Sequence, residues 1–355
     1  MEMRKKFDEI FEDCTKLGTK IKTDEYHSNG KHPIIDQGQE MVAGFTDLED
    51  GLLDAVPAIV FGDHTRIIKY VDCPFFLGAD GVKVLRSKVP NANYRYLYYA
   101  LKNAKIPNTG YNRHYKWLKE LKIEYPPIDQ QVKTVKVLDK VESIIYNRQN
   151  QLQKLDELVK ARFVELFGDP ISNPMNWNKR TLKEVCIKLN DGTHFSPESF
   201  SMGDYKYITA KNIKASGFDF SNITYVPEAV HRPIFERCNP EQGDVLYIKD
   251  GATTGIAIVN TLKEEFTLLS SVALLKQNRN VINGYFLAAL LNNADMYSDI
   301  RNNMGGAAIT RLTIAKLNAV KVIVPPLDLQ NRFAAFVHQV DKSKAVEGLY
   351  SSLCL

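Results

Sequence analysis

Polar and basic side chains follow several predicted strands of this sequence or stand in its glycine-containing turns. Side chains of these types donate hydrogen bonds to nucleic-acid bases and phosphates. The candidate contact residues are His64, Thr65, Arg66, Arg113, His114, Thr193, His194, Lys211, Asn212, Lys249, Thr253, Thr254 and Arg311. The alternative for each is an ordinary solvated turn, since Gly and Asp form turns whatever the ligand. The residue types therefore make DNA a candidate ligand without requiring it.

The motifs of the common catalytic classes are absent from the sequence. It contains no phosphate-binding GxxxxGK[ST], no HExxH and no GxSxG. Adenine methyltransferases hold their base with an Asn/Asp-Pro-Pro-aromatic tetrad, but the Pro-Pro pairs here follow Tyr125 and Val324. The five cysteines form no CxxC pair, so no zinc site is expected. We expect a chain without catalytic activity, metal or cofactor of its own.

The composition sets only broad limits on partners and location. The 355 residues carry a net charge of +4, which suits nucleic acid but does not require it. No apolar run is long enough to span a membrane, and the N-terminus lacks the apolar core of a secretory signal. We therefore expect a cytoplasmic protein with reduced cysteines and no membrane partner.

One long amphipathic helix organises the chain and is predicted from about Ile128 to Phe167. Pro126-Pro127 bars an earlier start, and Gly168 and Pro170 end it. At 1.5 Å per residue the helix is roughly 60 Å long. Its apolar stripe consists of Ile128, Val132, Val135, Leu138, Val141, Ile145, Leu152, Leu155, Val159, Phe163 and Leu166. A single stripe of this length predicts a partner helix.

The sequence supplies that partner after Val324, where VPPLDLQ repeats the YPPIDQQ that begins at Tyr125. We predict an antiparallel pair whose second helix runs from about Leu327 to Val346 and ends at Gly348. It is therefore shorter than the first helix. Its predicted apolar face consists of Leu329, Phe333, Phe336 and Val340.

The two blocks outside the helices also resemble each other. NYRYLYYALKN from Asn93 matches NGYFLAALLNN from Asn283, and insertions lengthen the second block. Short predicted strands with few helices indicate an α+β fold. We predict recognition domains over residues 1–125 and 170–325, with spacer helices over 126–169 and 326–355. Residues 7–14 are predicted as a short helix at the start of the first block.

The chain resembles the specificity subunit of type I restriction–modification enzymes over nearly its whole length. The resemblance is carried by LDELVKARFVELFGDP, DGTHFSP, YKYITAKNI, GDVLYIKDGATTG and VPPLDLQNRFAAFVHQVDKSK. It implies two target recognition domains, each reading half of a split double-stranded DNA site, spaced by an antiparallel coiled coil. It also implies docking of modification subunits, two in number, which methylate adenine with S-adenosylmethionine, and of restriction subunits in the full complex.

Two other hypotheses remain at this stage. The chain could be the specificity half of a fused or stand-alone methylase–nuclease system, although it contains no methylase motif. It could instead be a protein scaffold that carries two interaction domains on a helical rod. Because phosphate contacts release counterions, the salt dependence of DNA binding distinguishes the scaffold from a DNA reader.

Overall fold

The computed structural model describes residues 4–78, 80–302 and 312–352 and divides the chain into two compact units. Unit 1 is Met1–Tyr146 and unit 2 is Asn147–Leu355. The boundary lies inside the long helix, so each unit includes one part of it. A search of the described helices finds none with the length and apolarity needed to cross a membrane.

Unit 1 is built from short strands joined by turns, and its described residues contain three α-helices before the long one. Its strands are β1 Arg4–Lys6, β2 Phe11–Asp13, β3 His32–Ile35, β4 Gly44–Thr46, β5 Ala58–Gly62, β6 Ile68–Val71, β7 Phe76–Leu77, β8 Val82–Ser87 and β9 Lys122–Glu124. Its helices are α1 Phe7–Ile10, α2 Tyr94–Lys102 and α3 Tyr115–Lys119, and the long helix α4 follows as Ile128–Phe167.

Unit 2 repeats this order and adds elements to it. Its strands are β10 Lys179–Thr181, β11 Cys186–Asp191, β12 Tyr205–Ile208, β13 Ile213–Lys214, β14 Gly217–Phe218, β15 Thr224–Val226, β16 Val245–Ile248, β17 Ala257–Val259, β18 Phe266–Leu268, β19 Val272–Gln277 and β20 Lys321–Ile323. Its helices are α5 Leu182–Val185, α6 Glu228–Arg237, α7 Gly284–Leu291, α8 Ala294–Asn302, α9 Ile314–Ala319 and α10 Leu327–Ser352.

The sheets of the two units have the same topology, which confirms the internal repeat. Unit 1 has a four-stranded sheet β2-β8-β5-β6, and unit 2 has β11-β19-β16-β17. The three-stranded sheets β4-β3-β7 and β15-β12-β18 also correspond, each with one antiparallel and one parallel pairing. The insertions predicted for unit 2 include β13, β14, α6 and α8, for which the described part of unit 1 has no counterpart.

Each unit has its own apolar core. In unit 1, Phe7, Phe61, Leu85 and Leu97 bring α1, the four-stranded sheet and α2 together. In unit 2 the equivalent cluster joins α5, the four-stranded sheet, α7 and the facing parts of α4 and α10. One face of each four-stranded sheet is buried against these helices. The packed sheet therefore supports the turns at the ends of its strands.

The helix α4 has the bounds that the sequence predicts, and Gly168 follows it with a left-handed φ of 73°. Within unit 2, Phe333 of α10 packs edge-on against Phe163 and Phe167 of α4. Further along α10, Lys344 forms an ion pair with Asp156 at 2.6 Å. Since residue numbers rise along one helix and fall along the other, this packing is antiparallel. A supercoiled seam between the helices stays a prediction.

Three local predictions are wrong. Residues 7–14 are not one helix, because Phe11–Asp13 leaves it to pair with β8 as an edge strand. The second helix does not end at Gly348 but continues to Ser352, since a glycine inside a helix costs only about 1 kcal/mol relative to alanine. Val135, assigned to a seam between helices, packs with Leu138 against the core of unit 1.

Candidate nucleic-acid interface

The hairpin turn between β5 and β6 carries three of the candidate residues. The Arg66 N–H closes the turn by donating to the Gly62 carbonyl at 2.7 Å, and Arg66 has a left-handed φ of 63°. Gln37 fixes the turn from outside, accepting from the His64 N–H at 3.2 Å and from the Thr65 hydroxyl at 2.7 Å. Thr65 is exposed and the other two residues are partly exposed, so their side chains reach the surface of a rigid turn.

An aromatic stack extends this surface. The His64 ring lies parallel to the Tyr111 ring, with centroids 4.8 Å apart, and Tyr111 is 90% exposed. Arg113 is exposed two residues further on. The segment before α3 therefore presents a planar ring and a guanidinium next to the β5–β6 turn, a combination suited to bases and phosphates.

His114 is different from its neighbour Arg113, because it is fully buried. Its ring Nδ1 lies 2.9 Å from the Asp63 carbonyl oxygen and must donate to it, while Nε2 accepts from the Thr109 N–H at 3.4 Å. The Asp63 carboxylate accepts the Tyr115 N–H at 2.6 Å. The side chain of His114 is thus occupied in fastening the turn and is not available to a ligand in this structure.

The equivalent turn of unit 2, between β16 and β17, contains Lys249, Thr253 and Thr254. Gly251 has a φ of 104°, a conformation that favours glycine, and Thr254 is buried with its hydroxyl donating to the Gly251 carbonyl at 2.7 Å. Lys249 is only 1% exposed and its ammonium pairs with Asp250 at 2.8 Å and Asp191 at 3.3 Å. Thr253 is the candidate that this turn exposes.

The same backbone bond fastens the two turns. In unit 1 the His114 N–H donates to the Asp63 carbonyl at 2.8 Å, and in unit 2 the Leu312 N–H donates to the Lys249 carbonyl at 2.9 Å. Each bond ties the residue after the β5 or β16 strand to the segment before α3 or α9. Both repeats therefore hold the turn in the same way, although the side chains in the two turns differ.

Two further segments of unit 2 carry candidates. His194 is exposed and lies 3.2 Å from the buried Asp191 carboxylate, while Thr193 is buried. In the turn after β12, Lys211 is exposed, whereas the Asn212 side chain is buried and accepts from the Thr209 N–H at 3.0 Å.

The structure divides the sequence-predicted residues into two groups. Those whose side chains reach the surface are His64, Thr65, Arg66, Arg113, His194, Lys211 and Thr253. Those buried in structural contacts are His114, Thr193, Asn212, Lys249 and Thr254. Arg311 lies outside the described residues. Which of the accessible residues contact DNA stays a prediction.

Sequence reasoning missed residues that hold the candidate segments in place from distant parts of the chain. Gln37 contacts the β5–β6 turn, and Arg237, at the end of the inserted helix α6, donates to the Asp191 carboxylate at 2.7 Å. Neither residue has a sequence signal, since its partner is far away along the chain. Tyr111 begins a stretch, residues 111–117, that mixes aromatic and basic side chains. Its stacking on His64 marks it as a further candidate.

The chemistry of the described residues gives no support to a metal centre. They contain no group of three or more His, Cys, Asp or Glu side chains placed to hold a metal ion. Burial raises the pKa of the Cys186 and Cys238 thiols to about 12, which disfavours the thiolate that a metal or a nucleophile needs.

Comparison with known proteins identifies the family. The profile of the type I restriction modification DNA specificity domain matches residues 3–157 and 174–349. The specificity subunit of the Escherichia coli type I restriction enzyme EcoR124I/EcoR124II is 20% identical over 350 residues, covering 93% of this chain and 84% of the relative. The MjaIX specificity subunit of Methanocaldococcus jannaschii is 21% identical over 230 residues, covering 60% and 52%.

A solved structure shares the fold. The type I restriction–modification S subunit from M. genitalium aligns with a TM-score of 0.60 and 18% identity, covering 99% of this chain and 92% of that one. The two profile matches coincide with the two structural repeats and together span most of the chain, which confirms the resemblance seen in the sequence motifs. The chain therefore belongs to the DNA specificity subunits of type I restriction–modification systems.

Proposed function

We propose that each repeat of this chain reads one half of a split double-stranded DNA site through its hairpin turn and the segments fastened to it. The observation that carries the proposal is the pair of equivalent bonds from His114 to Asp63 and from Leu312 to Lys249. One scaffold holds two unlike turns in the same way, and unlike turns suit two unlike half-sites. The accessible contacts are His64, Thr65, Arg66, Tyr111 and Arg113 in unit 1, and His194, Lys211 and Thr253 in unit 2.

Membership of the family supports a proposal about the partners. We propose that two modification subunits dock on the chain and carry the S-adenosylmethionine, so that this chain binds no cofactor itself. Restriction subunits join in the full complex, which acts in the cytoplasm. Exposed apolar side chains on the first part of α4 support a protein-docking role, since Val132 is 53% exposed and Ile144 and Ile145 are also exposed.

A salt titration tests the DNA-binding proposal. The chain with its modification subunits would be titrated with duplex DNA at several salt concentrations. For a DNA reader, the logarithm of the binding constant should fall linearly with the logarithm of salt, by about 0.9 per phosphate contacted. Arg113→Ala should lower this slope by about 1. A binding constant independent of salt would favour the protein scaffold instead.

Exchange of the first repeat, without the long helix, tests whether the two repeats read DNA independently. Replacing residues 1–124 with the corresponding block of another family member should change the base preference in one half-site and leave the other intact. Selection from a library with both half-sites randomised would measure this. A change in both half-sites would show that the two repeats do not read DNA independently.

A further inference from the structure

A buried carboxylate lies where three segments of unit 2 meet. Asp191, the last residue of β11, is 3% exposed. Its Oδ1 lies 2.7 Å from Arg237 Nη2 and 3.2 Å from His194 Nε2, and its Oδ2 lies 3.3 Å from Lys249 Nζ. The partners come from helix α6, from the loop after β11 and from the β16–β17 turn. A single side chain thus touches both segments that carry candidate DNA contacts in this part of the unit.

The backbone around Asp191 leaves the carboxylate little freedom to move. Arg237 also donates to the carbonyl oxygen of Gly192 at 3.0 Å. Gly192 lies against β18 so closely that a Cβ atom there would stand 1.9 Å from the Leu268 carbonyl oxygen. The Thr193 N–H donates to that same oxygen at 2.8 Å. Hydrogen bonds to β18 and to Arg237 therefore hold the loop that presents His194 in place.

Buried charges restrict the position of the β16–β17 turn relative to the loop that carries His194. A buried lysine or carboxylate is stable only when paired, and Lys249 is paired with both Asp191 and Asp250. Moving the β16–β17 turn away from the loop would separate buried charges of opposite sign. The Lys249 ammonium therefore sets the position of the turn relative to His194.

We propose that Asp191 is a positioning residue for DNA reading. It holds the loop that carries His194 and the β16–β17 turn in one relative position, and so determines the base preference of unit 2. The proposal rests on the proposed function of the chain. Asp191 itself does not contact DNA, because it is buried. Its effect reaches DNA through His194 and Thr253, which are exposed.

The test compares two buried carboxylates of the same unit. Asp244 is fully buried and pairs with Lys276 at 3.3 Å, as Asp191 pairs with Lys249. It precedes β16, whereas Lys249 follows that strand, so it lies at the opposite end from the turn. Asp191→Asn and Asp244→Asn each remove one buried negative charge, but only the first change lies beside the candidate segments.

The readout is base preference, which a general loss of stability would not redistribute between half-sites. The whole chain, with its modification subunits, would select DNA from a library randomised in both half-sites. For Asp191→Asn we expect discrimination to fall about tenfold in the half-site read by unit 2, with the other half-site unchanged. For Asp244→Asn we expect both preferences to match the parent.

Arg237→Gln keeps the proposal testable if Asp191→Asn does not fold. Its side chain is about half exposed, and the change leaves the pair of Lys249 with Asp191 intact while removing the clamp on the loop. It should weaken discrimination in the same half-site. Parent-like preferences in folded Asp191→Asn or Arg237→Gln, or equal losses for Asp191→Asn and Asp244→Asn, would overturn the proposal. A parent complex with no base preference would instead refute DNA reading itself.

Discussion

The backbone N–H of His114 and its ring Nδ1 both meet the carbonyl oxygen of Asp63, at 2.8 and 2.9 Å. One buried histidine thereby ties the segment before α3 to the turn after β5. Its neighbour Arg113 is exposed and makes none of these contacts. The sequence makes both Arg113 and His114 candidate DNA contacts. In the structure His114 holds the turn, whereas Arg113 lies at its surface.

The first prediction separates these roles. His114→Ala removes a buried hydrogen bond and leaves a cavity, so it should lower the free energy of unfolding by roughly 1–3 kcal/mol. Arg113→Ala should change it by less than about 0.5 kcal/mol and should weaken DNA binding. Urea denaturation and DNA titration of both variants would measure this. Equal loss of stability in the two variants would contradict the assignment.

The second prediction concerns acid stability. Burial by itself would raise the pKa of Asp139 and Glu142 on α4, but hydrogen bonds from Arg95 and Tyr99 to the first and from Lys102 and Tyr99 to the second leave both pKa values lowered. A lowered pKa in the folded state means that the stabilisation is complete above the ordinary values of 3.8 and 4.5. It is lost as the pH falls through the lowered values.

The attachment of α4 to α2 in unit 1 should therefore weaken below about pH 4. Glu142→Gln removes one of the two titrating groups, so the stability of the variant should depend less on pH in this range. Urea denaturation at a series of pH values from about 7 down to 3 would test it. The same pH dependence in parent and variant would show that this carboxylate does not contribute.

The third prediction uses the unusual backbone of Arg66. Asn tolerates a left-handed backbone better than most residues, so Arg66→Asn should keep the turn. It removes the guanidinium together with the hydrogen bond that the guanidinium donates to the Ile106 carbonyl at 3.3 Å. Because that hydrogen bond is lost, the free energy of unfolding should fall by no more than about 1.5 kcal/mol. If Arg66 contacts a phosphate, the slope of binding against salt falls by about 1. Unchanged affinity together with an unchanged slope would remove Arg66 from the interface.

The sequence predicts the large elements well because its signals for them are local. Pro126-Pro127 and Gly168 mark the two ends of α4, and the bounds of the helix follow from these residues. The sequence places the end of α10 wrongly at Gly348, because a glycine marks a helix end only where the backbone turns left-handed. At Gly348 the backbone stays helical.

The candidate site could be predicted only as a set of turns. Whether a side chain in a turn reaches the surface depends on partners from distant segments, as the pairing of Lys249 with Asp191 illustrates. A lysine is expected at the surface unless it is paired, and nothing near Lys249 in the sequence reveals that Asp191 lies beside it. The hydrogen bond from the His114 ring to the Asp63 carbonyl oxygen is a second case, since the two residues are 51 positions apart.

The last prediction tests the packing between α10 and the second part of α4 inside unit 2. Phe333 is fully buried between Phe163 and Phe167, with ring centroids 5.6 Å away from each. Phe333→Ala should therefore cost about 3–5 kcal/mol. Val164, adjacent to Phe163 but half exposed, offers a matched control, and Val164→Ala should cost less than about 1 kcal/mol.

A double-mutant cycle would show whether the phenylalanines act together. If Phe163 and Phe333 stabilise unit 2 through their contact, Phe163→Ala combined with Phe333→Ala should cost less than the sum of the single changes, by at least about 0.5 kcal/mol. Additive costs would mean that each ring is stabilised by other neighbours, such as Phe286, which stacks on Phe163 at 5.7 Å. In that case the two helices would be held by the body of unit 2 rather than by each other.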